Sequence, residues 1–497
     1  MVVVGGGFGG LWTARTLSGE DVDVTLLDRR NYHTFFPLLY QVAAAELVPT
    51  DIAYPIRSIF RRAGNVEVRM AEVTSLDLDG RQVETDAGPF PYDMLVLAPG
   101  SESNYFGVEG AERHAFPLRW MDDAIPLRHH VLTRFEAAAG ADPERRRRLL
   151  TFVVVGGGPT GVEYAGALSE LVHGPLLRDF PGIEVEEVEV LLLEAGPAIL
   201  AGMPPELGRY AVERLRRRRV TVRVDAMVGK VRATEVCLAD GTEIPTETVV
   251  WTAGVKGDPR VAGWGLPVGR GGRVPVTERL HVADRPEVFV IGDLSYLEQD
   301  GKPLPQVAQV AIQQGKHAAR NILRAASGRP ATRFVYRDLG MLAVIGRNAA
   351  VADVGGHVFK GIVAWVLWLG IHITWLIGFR NRALVLLNWA WNYLSFRRTV
   401  RLILPTLGSA SGGRALAVAG RGAVDAARAA ALGEADEVVP DVADEDGARH
   451  GPDTHGGAAH GGPTDAHGGA ARAGPGDVPA EPPPQERGAT SDPDGGA

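Results

Sequence analysis

Cysteine is almost absent from this chain: Cys237 is the only one among 497 residues. A single thiol excludes an intramolecular disulfide, a redox-active cysteine pair and any cysteine-built zinc or iron–sulfur cage. The N-terminus lacks a basic n-region and an A-x-A cleavage site. A soluble or cytoplasm-facing protein without a secretory signal is therefore expected. Acidic residues are missing from a whole segment: Val354 to Val424 holds eight Lys or Arg and no Asp or Glu. Acid gathers instead at the end, where residues 425–497 carry fifteen acidic and four basic side chains. The net charge of −8 therefore comes from the tail, and residues 1–424 sum to +3. A basic, apolar stretch beside a near-neutral body points to an anionic surface as partner. Its basic residues are interleaved with long aliphatic runs, so no nucleic-acid partner is expected.

Glycine, by contrast, is abundant at 62 residues, and its placement carries information. The run Val2 to Val4 passes at once into Gly5-x-Gly7-x-x-Gly10. A helical pattern follows through Leu11, Ala14 and Leu17, then an apolar strand from Val22 to Leu27 that ends at Asp28. Strand, glycine turn, helix, strand and acid make a dinucleotide-binding βαβ unit. The turn lets backbone N–H groups approach a pyrophosphate at a helix N-terminus, and Asp28 accepts from a ribose diol. The unit recurs: Leu150 to Val155, Gly156-x-Gly158-x-x-Gly161, a helix through Glu163, Ala167 and Leu171, and a strand from Val188 to Leu193 ending at Glu194. Residues 173–187, with Pro175 and Pro181, read as an insertion that lengthens the second unit. Two such units in one chain usually bind two different nucleotides, most often a flavin and a nicotinamide.

Three further strands end in small residues: Met94 to Leu97 in Ala98-Pro-Gly100, Val249 to Thr252 in Ala253-Gly254, and Val288 to Ile291 in Gly292-Asp293. In this order they predict a first nucleotide domain interrupted by the second. Boundaries of 1–115 plus 272–325 for the first, 116–271 for the second, 326–407 for a C-terminal region and 408–497 for a tail follow. The expected fold class is α/β: two Rossmann-like domains, a helical membrane-binding region and a disordered acidic tail. Pro305 predicts a helix start, since its missing N–H needs no partner there. Gln306, Gln309 and Gln313 then share one helix face.

Residues 361–379 form a 19-residue run without Asp, Glu, Lys or Arg. As a helix it would be about 28 Å long, close to a hydrocarbon core of about 30 Å. A second run, Ala383 to Leu394, places Asn388 and Asn392 on one face. Five of nine Trp lie between Trp365 and Trp391, flanked by Lys360, Arg380, Arg382, Arg397, Arg398 and Arg401. That pattern suits a bilayer boundary. Hydropathy leaves open whether the first run spans or lies in the plane; the short loop and the flanking cations favour a monotopic anchor over residues 357–401. Beyond Gly408, residues 414–432 are Ala-rich and compatible with a loose helix. Residues 451–497 contain twelve Gly, eight Pro and one large aliphatic, Val478, a composition that cannot bury enough surface to fold. The recurring His450, His455, His460 and His467 read as part of a solvated tail, and no metal site is expected.

Several stretches together resemble the type II NADH dehydrogenases, single-chain, non-pumping NADH:quinone oxidoreductases. They are Val3 to Gly10 with Asp28-Arg-Arg-Asn-Tyr-His33 and Pro37-Leu-Leu-Tyr-Gln-Val42, Gly156 to Glu163, Gly292-Asp293 with Ala308-Gln-Val-Ala-Ile-Gln313, and the Trp-rich C-terminal region. The Ala-Gln-x-Ala-x-Gln element resembles the family's quinone-site signature most specifically. The match covers residues 1 to about 405. Because family members usually have a few residues before the first strand, a start slightly upstream of Met1 is expected.

The resemblance implies non-covalent FAD held by Gly5, Gly7, Gly10, Asp28, Ala98, Gly100 and Asp293. It implies NADH held by Gly156, Gly158, Gly161, Glu194, Ala253 and Gly254. Gln309, Gln313 and, more weakly, Lys360 would line a site for a membrane quinone, menaquinone or ubiquinone. Glu163 matches a carboxylate placed where the nicotinamide, flavin and quinone paths meet. It is a candidate proton relay, and equally a helix-start carboxylate stabilising the helix dipole. A carboxylate at Glu194 accepts from a 2′-hydroxyl and repels a 2′-phosphate, which favours NADH over NADPH. The bilayer is the expected partner, at the cytoplasmic face of the cell membrane, and a homodimer is compatible with the resemblance. Thiol-disulfide and sulfide:quinone reductases need cysteines that residues 31–49 lack. A soluble FAD-dependent NAD(P)H reductase with a protein acceptor, or a low-turnover flavin redox sensor, remains as the alternative.

Overall fold

Buried β-branched and aliphatic runs explain the two main sheets. In the computed structural model, which describes residues 1–395 and 400–403, Val2–Val4 lies inside a six-stranded sheet. The order is His281–Val282, Arg285–Val290, Leu95–Leu97, Val2–Val4, Val24–Asp28 and Val66–Met70. Neighbours are parallel except at the His281–Val282 edge. Strand side chains alternate between faces. In register, Val3, Leu26, Val96 and Phe289 pack with Leu11, Ala14 and Leu17 of helix Phe8–Leu17 and Ala318 and Ile322 of helix Ala308–Ala326. Val2, Val4, Leu27, Leu95 and Leu97 fill the other face.

The second sheet is wholly parallel, in the order Phe116–Pro117, Thr248–Trp251, Thr151–Val155, Glu189–Leu193 and Val220–Arg223. Its strands come from chain lying between Leu97 and Arg285, so the first sheet is closed by residues on both sides of the second. Continuous apolar strands such as Phe152 to Val155 reflect burial on both faces: Phe152 and Val154 enter one core, Val153 and Val155 another. Helix Pro159–Leu171 runs on into a π-helical turn, Val172–Leu176, that contains Pro175.

An antiparallel meander, Met341–Gly346, Ala349–Val354 and His357–Gly361, packs on helix Pro159–Leu171. Gly166 permits this approach, since a Cβ there would lie 2.1 Å from the Ile345 carbonyl oxygen. The approach sets the Val344 N–H over Glu163.

The helix expected from Pro305 begins instead at Ala308, with Val307 extended before it. The hairpin Glu298–Gln299/Lys302–Pro303 and the Leu304 N–H on the Leu297 carbonyl hold the preceding chain extended. Gln306 is therefore outside the helix, and its Nε2 donates to the Asp293 carbonyl at 3.0 Å. Gln309 and Gln313 keep the shared face, four residues apart.

The apolar run is also shorter as a helix than its composition predicts. Gly361, at φ 74°, ends the last strand, and the helix covers only the 14 residues Ile362–Trp375, about 21 Å at 1.5 Å per residue. No helix among the described residues is long and apolar enough to cross a membrane. The inner face of this helix carries Ala364 and the buried Trp368; the outer face exposes Ile362, Val363 and Val366. Helix Phe379–Ser395 is anchored to the first domain: Asn381 Nδ2 donates to the carbonyls of Thr50, Asp51 and Ala53, and Asn388 Nδ2 to Asp51 Oδ2. Two of the flanking cations have partners within the protein. Arg382 donates to the Thr374 and Leu376 carbonyls, and Arg401 pairs with Asp179 at 3.1 Å. Arg397, Arg398, the Ala-rich stretch 414–432 and the tail 408–497 with its histidines lie outside the described residues.

Candidate functional site

The two glycine turns have the same construction. Gly5 (φ 98°) and Gly156 (φ 111°) adopt left-handed backbone, and a Cβ would strike the Ala98 carbonyl oxygen at 2.2 Å or the Ala253 Cα at 2.6 Å. Gly10 and Gly161 each bring a helix so close that a Cβ would lie 1.9 Å from the carbonyl oxygen of Gly5 or Gly156. At the middle positions, Gly7 and Gly158, nothing lies within 4 Å. Each caps the following helix, Phe8–Leu17 or Pro159–Leu171. An open cradle at a helix N-terminus is what a pyrophosphate requires. The two acids are held alike. The Gly6 N–H donates to Asp28 Oδ2 and the Gly157 N–H to Glu194 Oε2, both at 2.6 Å. The Arg30 and Gly196 N–H groups take the other oxygens at 2.7 and 2.8 Å. Burial raises the Asp28 pKa above the ordinary carboxylate value against these N–H groups. Ala253 lies under the second turn as Ala98 lies under the first, and the Gly254 carbonyl accepts from Asn104 N–H.

A cavity of about 320 Å³ opens along the first turn, within the range of small-molecule sites. It is lined by Gly5, Gly7, Asp28, Ala98, Gly100 and Asp293, and also by Thr160 and Glu163 from the helix of the second turn. Asp293 Oδ2 accepts from Ser101 Oγ at 2.7 Å and from Arg119 Nη2 at 2.5 Å. The open cradle, the acid at the end of the next strand and these fixed polar groups fit FAD. Lining residues that sequence reasoning missed include Arg30, whose guanidinium sits 4.7 Å above the Trp120 ring, together with Arg119, Arg260 and Trp264. Arg30 stands in the Asp28-to-His33 stretch, but Arg119, Arg260 and Trp264 stand in no motif, so no local signal marks those three. Gln314 was also missed, although it adjoins the glutamine element: its Oε1 accepts from the buried Gly292 N–H at 2.6 Å.

Glu163 is buried, and its Oε1 accepts from the Val344 N–H at 3.2 Å and the Trp368 indole N–H at 3.3 Å. Burial pushes its carboxyl up to about 8, against those two hydrogen bonds. At neutral pH it is a carboxylic acid. Its partners are the meander and the C-terminal helix rather than its own helix's first turn, so the dipole reading does not describe it. A second cavity, of about 640 Å³, lies on its other side. Glu163 and Tyr40 line both. The Tyr40 hydroxyl accepts from Gln41 Nε2, and burial holds its pKa well above the usual phenol value.

The glutamines are placed differently. Ala308 and Ala311 line the first cavity, while Gln309 and Gln313 do not. Gln313 spends both ends of its amide on the Arg337 backbone, at 2.9 and 3.0 Å. Gln309 Oε1 is buried without a protein partner. Lys360 is exposed on the strand His357–Gly361 and lines neither cavity. Glu194, Ala253 and Gly254 stand at the second turn, outside both cavities.

Comparison with known proteins bears on this arrangement. The chain matches the family model of the pyridine nucleotide-disulphide oxidoreductases over residues 1–315 and that of the NDH2 C-terminal domain over residues 339–398. Two type II NADH:quinone oxidoreductases of Mycobacterium tuberculosis are each 40% identical to it, the alignments spanning 80% of this chain and 89% and 88% of theirs. The solved structure of NDH2 from Plasmodium falciparum matches with a TM-score of 0.75 at 18% identity, covering 81% of this chain and 99% of that one. At that identity the likeness is one of fold.

Proposed function

The chain belongs to the type II NADH:quinone oxidoreductases, and from that premise we propose how its own residues divide the work. It transfers electrons from NADH to a quinone with FAD as cofactor, without pumping protons. The chemistry supplied by bound FAD would be acceptance of a hydride from NADH and donation of two electrons to the quinone. The protein binds, orients and handles protons. The observation that carries this reading is the first cavity, which joins the first turn to Thr160 and Glu163 of the second-turn helix. Gly5 to Gly10, Asp28, Ala98, Gly100 and Asp293 would hold FAD. Gly156, Gly158, Gly161, Glu194, Ala253 and Gly254 would hold NADH, with Glu194 disfavouring a 2′-phosphate. We read residues 1–115 with 272–325 as the FAD domain and 116–271 as the NADH domain, supported by the strand order of the two sheets.

Glu163 is the proton donor of this reading: neutral at pH 7, buried, and at the cavity wall. A Gln amide can orient a quinone carbonyl but cannot supply a proton. Both ends of the Gln313 amide are engaged by the Arg337 backbone, which leaves the Gln309 Nε2 as the better donor to a quinone carbonyl. A membrane quinone fits the exposed faces of the C-terminal helices. Ile362, Val363, Val366, Leu386, Leu387 and Trp391 are 49–66% exposed, and an apolar face of that kind supports docking in the plane of a bilayer. Attachment at the cytoplasmic face is part of the same proposal.

The test is NADH oxidation by detergent-solubilised holoenzyme with and without a menaquinone analogue, with FAD absorbance followed anaerobically. Bleaching by NADH, with turnover only when quinone is added, is expected. Bleaching without quinone turnover would overturn the assignment in favour of a protein acceptor. Flotation with liposomes, lost when Val363 and Val366 become Glu, tests the membrane face.

A further inference from the structure

We infer that the groove between helix Phe8–Leu17 and the turn joining the two C-terminal helices seats the phosphate headgroup of an anionic phospholipid. This goes one step beyond docking in the plane of a bilayer and rests on it. The apolar faces attach the protein to a bilayer of any charge, and the groove selects the headgroup.

The groove, of about 530 Å³, is built from three separate parts of the chain. Trp12 and Arg15 come from the first helix, Tyr54 and Ser58 from strand Ala53–Pro55 and the short helix Ile56–Ile59, and Trp375 and Arg382 from the two sides of the turn. Gly378, at φ 90°, lets that turn sit against Tyr54, since a Cβ there would lie 2.5 Å from the ring. Among the described residues, no Asp or Glu lines the groove. Cations gather around its Trp12 wall instead. Arg15 Cζ lies 4.6 Å and Lys316 Nζ 4.3 Å from the centre of a Trp12 ring. Partial burial, and then the charge of Arg382, lower the Arg15 pKa, as like charges do when held together without a counterion. A guanidinium so placed stays charged, and a charge partly removed from water favours an anion beside it.

The hydrogen-bond donors of the groove are unspent. Among the described residues, the Arg15 guanidinium, the Tyr54 and Ser58 hydroxyls and the Trp375 indole N–H have no hydrogen-bonded or ion-paired partner. Arg382 is fixed by its Nε on the Leu376 carbonyl and its Nη2 on the Thr374 carbonyl, both at 2.7 Å, which leaves its Nη1 for a ligand. A phosphodiester is an acceptor that such a set matches, with guanidinium groups giving its strongest bonds. A free phosphate would use these donors alone, whereas a phospholipid also uses the walls. Ile59 and Ile377 line the groove beside the polar groups. The helix that ends at Trp375 exposes Ile362, Val363 and Val366, so the groove is continuous with an element already read as lying on the bilayer. Tryptophan and arginine at a bilayer interface, and basic pockets for anionic headgroups, suit that position.

The test uses the full-length holoenzyme in micelles doped with equal amounts of phosphatidylglycerol and phosphatidylcholine, followed by native mass spectrometry. Retention of a single phosphatidylglycerol per chain, in preference to phosphatidylcholine, is expected. Arg15→Gln should lower that occupancy at least about tenfold, beyond the about fivefold that one cation near an anionic surface contributes. Ser58→Tyr keeps every charge and fills the groove, and should lower the occupancy as far. Arg380→Gln removes an exposed cation beside the turn that does not line the groove; its loss should stay within about fivefold. Flavin absorbance checks that each variant is folded. Flotation with pure phosphatidylcholine vesicles should be unchanged in Arg15→Gln and Ser58→Tyr, because the apolar faces are intact. Native protein that floats but retains no phosphatidylglycerol, or Ser58→Tyr protein that retains it as well as the native chain, would overturn the groove. Displacement of the lipid by inorganic phosphate as readily as by short-chain phosphatidylglycerol would make this a free-anion site and overturn the lipid assignment. Native protein that floats with neither kind of vesicle would instead overturn the in-plane reading beneath it.

Discussion

Replacing Glu163 by Gln separates proton supply from electron supply. The amide keeps an oxygen where Oε1 accepts from the Val344 and Trp368 N–H groups, so the meander and the C-terminal helix stay in place. Only the acidic proton is lost. With its carboxyl at about 8, roughly nine in ten molecules carry that proton at pH 7 and about one in ten at pH 9. The native rate of quinone reduction should therefore be level below about pH 8 and fall about tenfold per unit above it. Removing a positioned general acid costs about 10²–10⁴-fold. The variant should be slower by that factor, with no break near pH 8. Anaerobic stopped-flow mixing of NADH-reduced enzyme with quinone, from pH 6 to 10, measures this step alone; mixing oxidised enzyme with NADH measures the other. Equal slowing of both steps, or a break near pH 8 that survives in the variant, would refute the assignment.

The same carboxyl makes stability depend on pH. Its folded value of about 8 lies above the ordinary 4.5, so between these values the folded state holds a proton that the unfolded chain releases. Stability is then lost as pH rises, by about 1.4 kcal/mol per unit for this group. Denaturant titrations should show Glu163→Gln gaining on the native protein from pH 5 to 8, and parallel curves would contradict the burial argument. Trp368→Phe removes the indole N–H that favours the carboxylate; the pH break in quinone reduction should move upward. Gly7→Ala should fold normally, because a Cβ there meets nothing within 4 Å, yet lose FAD occupancy as the methyl enters the cradle. Gly10→Ala should fail to fold properly, its Cβ lying 1.9 Å from the Gly5 carbonyl oxygen; circular dichroism and FAD absorbance distinguish the two. Glu194→Gln should weaken the preference for NADH over NADPH, read as the ratio of kcat/KM values, because the charge that repels a 2′-phosphate is gone.

The turns and their acids were legible in the sequence because they are local. A strand, three glycines and an acid at the next strand's end specify backbone geometry over a few dozen residues. The burial of Val2 to Val4 and Phe152 to Val155 on both faces of their sheets follows from the same kind of local pattern, a continuous apolar run. The helix expected at Pro305 starts at Ala308 because a neighbouring hairpin holds the intervening chain extended. Composition foresaw an apolar run over 361–379, but Gly361 before it and the break after Trp375 cut its helix to 14 residues, and Trp368 and Ala364 pack that helix against the core. The Ala-Gln-x-Ala-x-Gln spacing put Gln309 and Gln313 on one face, while only the fold could show that the Arg337 backbone occupies the second amide. For Glu163 the sequence determined a carboxylate one turn into a helix. That it is an acid between two cavities was decided by its burial against the meander and the C-terminal helix, segments about 180 and 205 residues away, and in spite of the Val344 and Trp368 N–H groups that reach it. A side chain's charge is set by the solvent it loses, and the elements that exclude solvent here come together only in the folded chain.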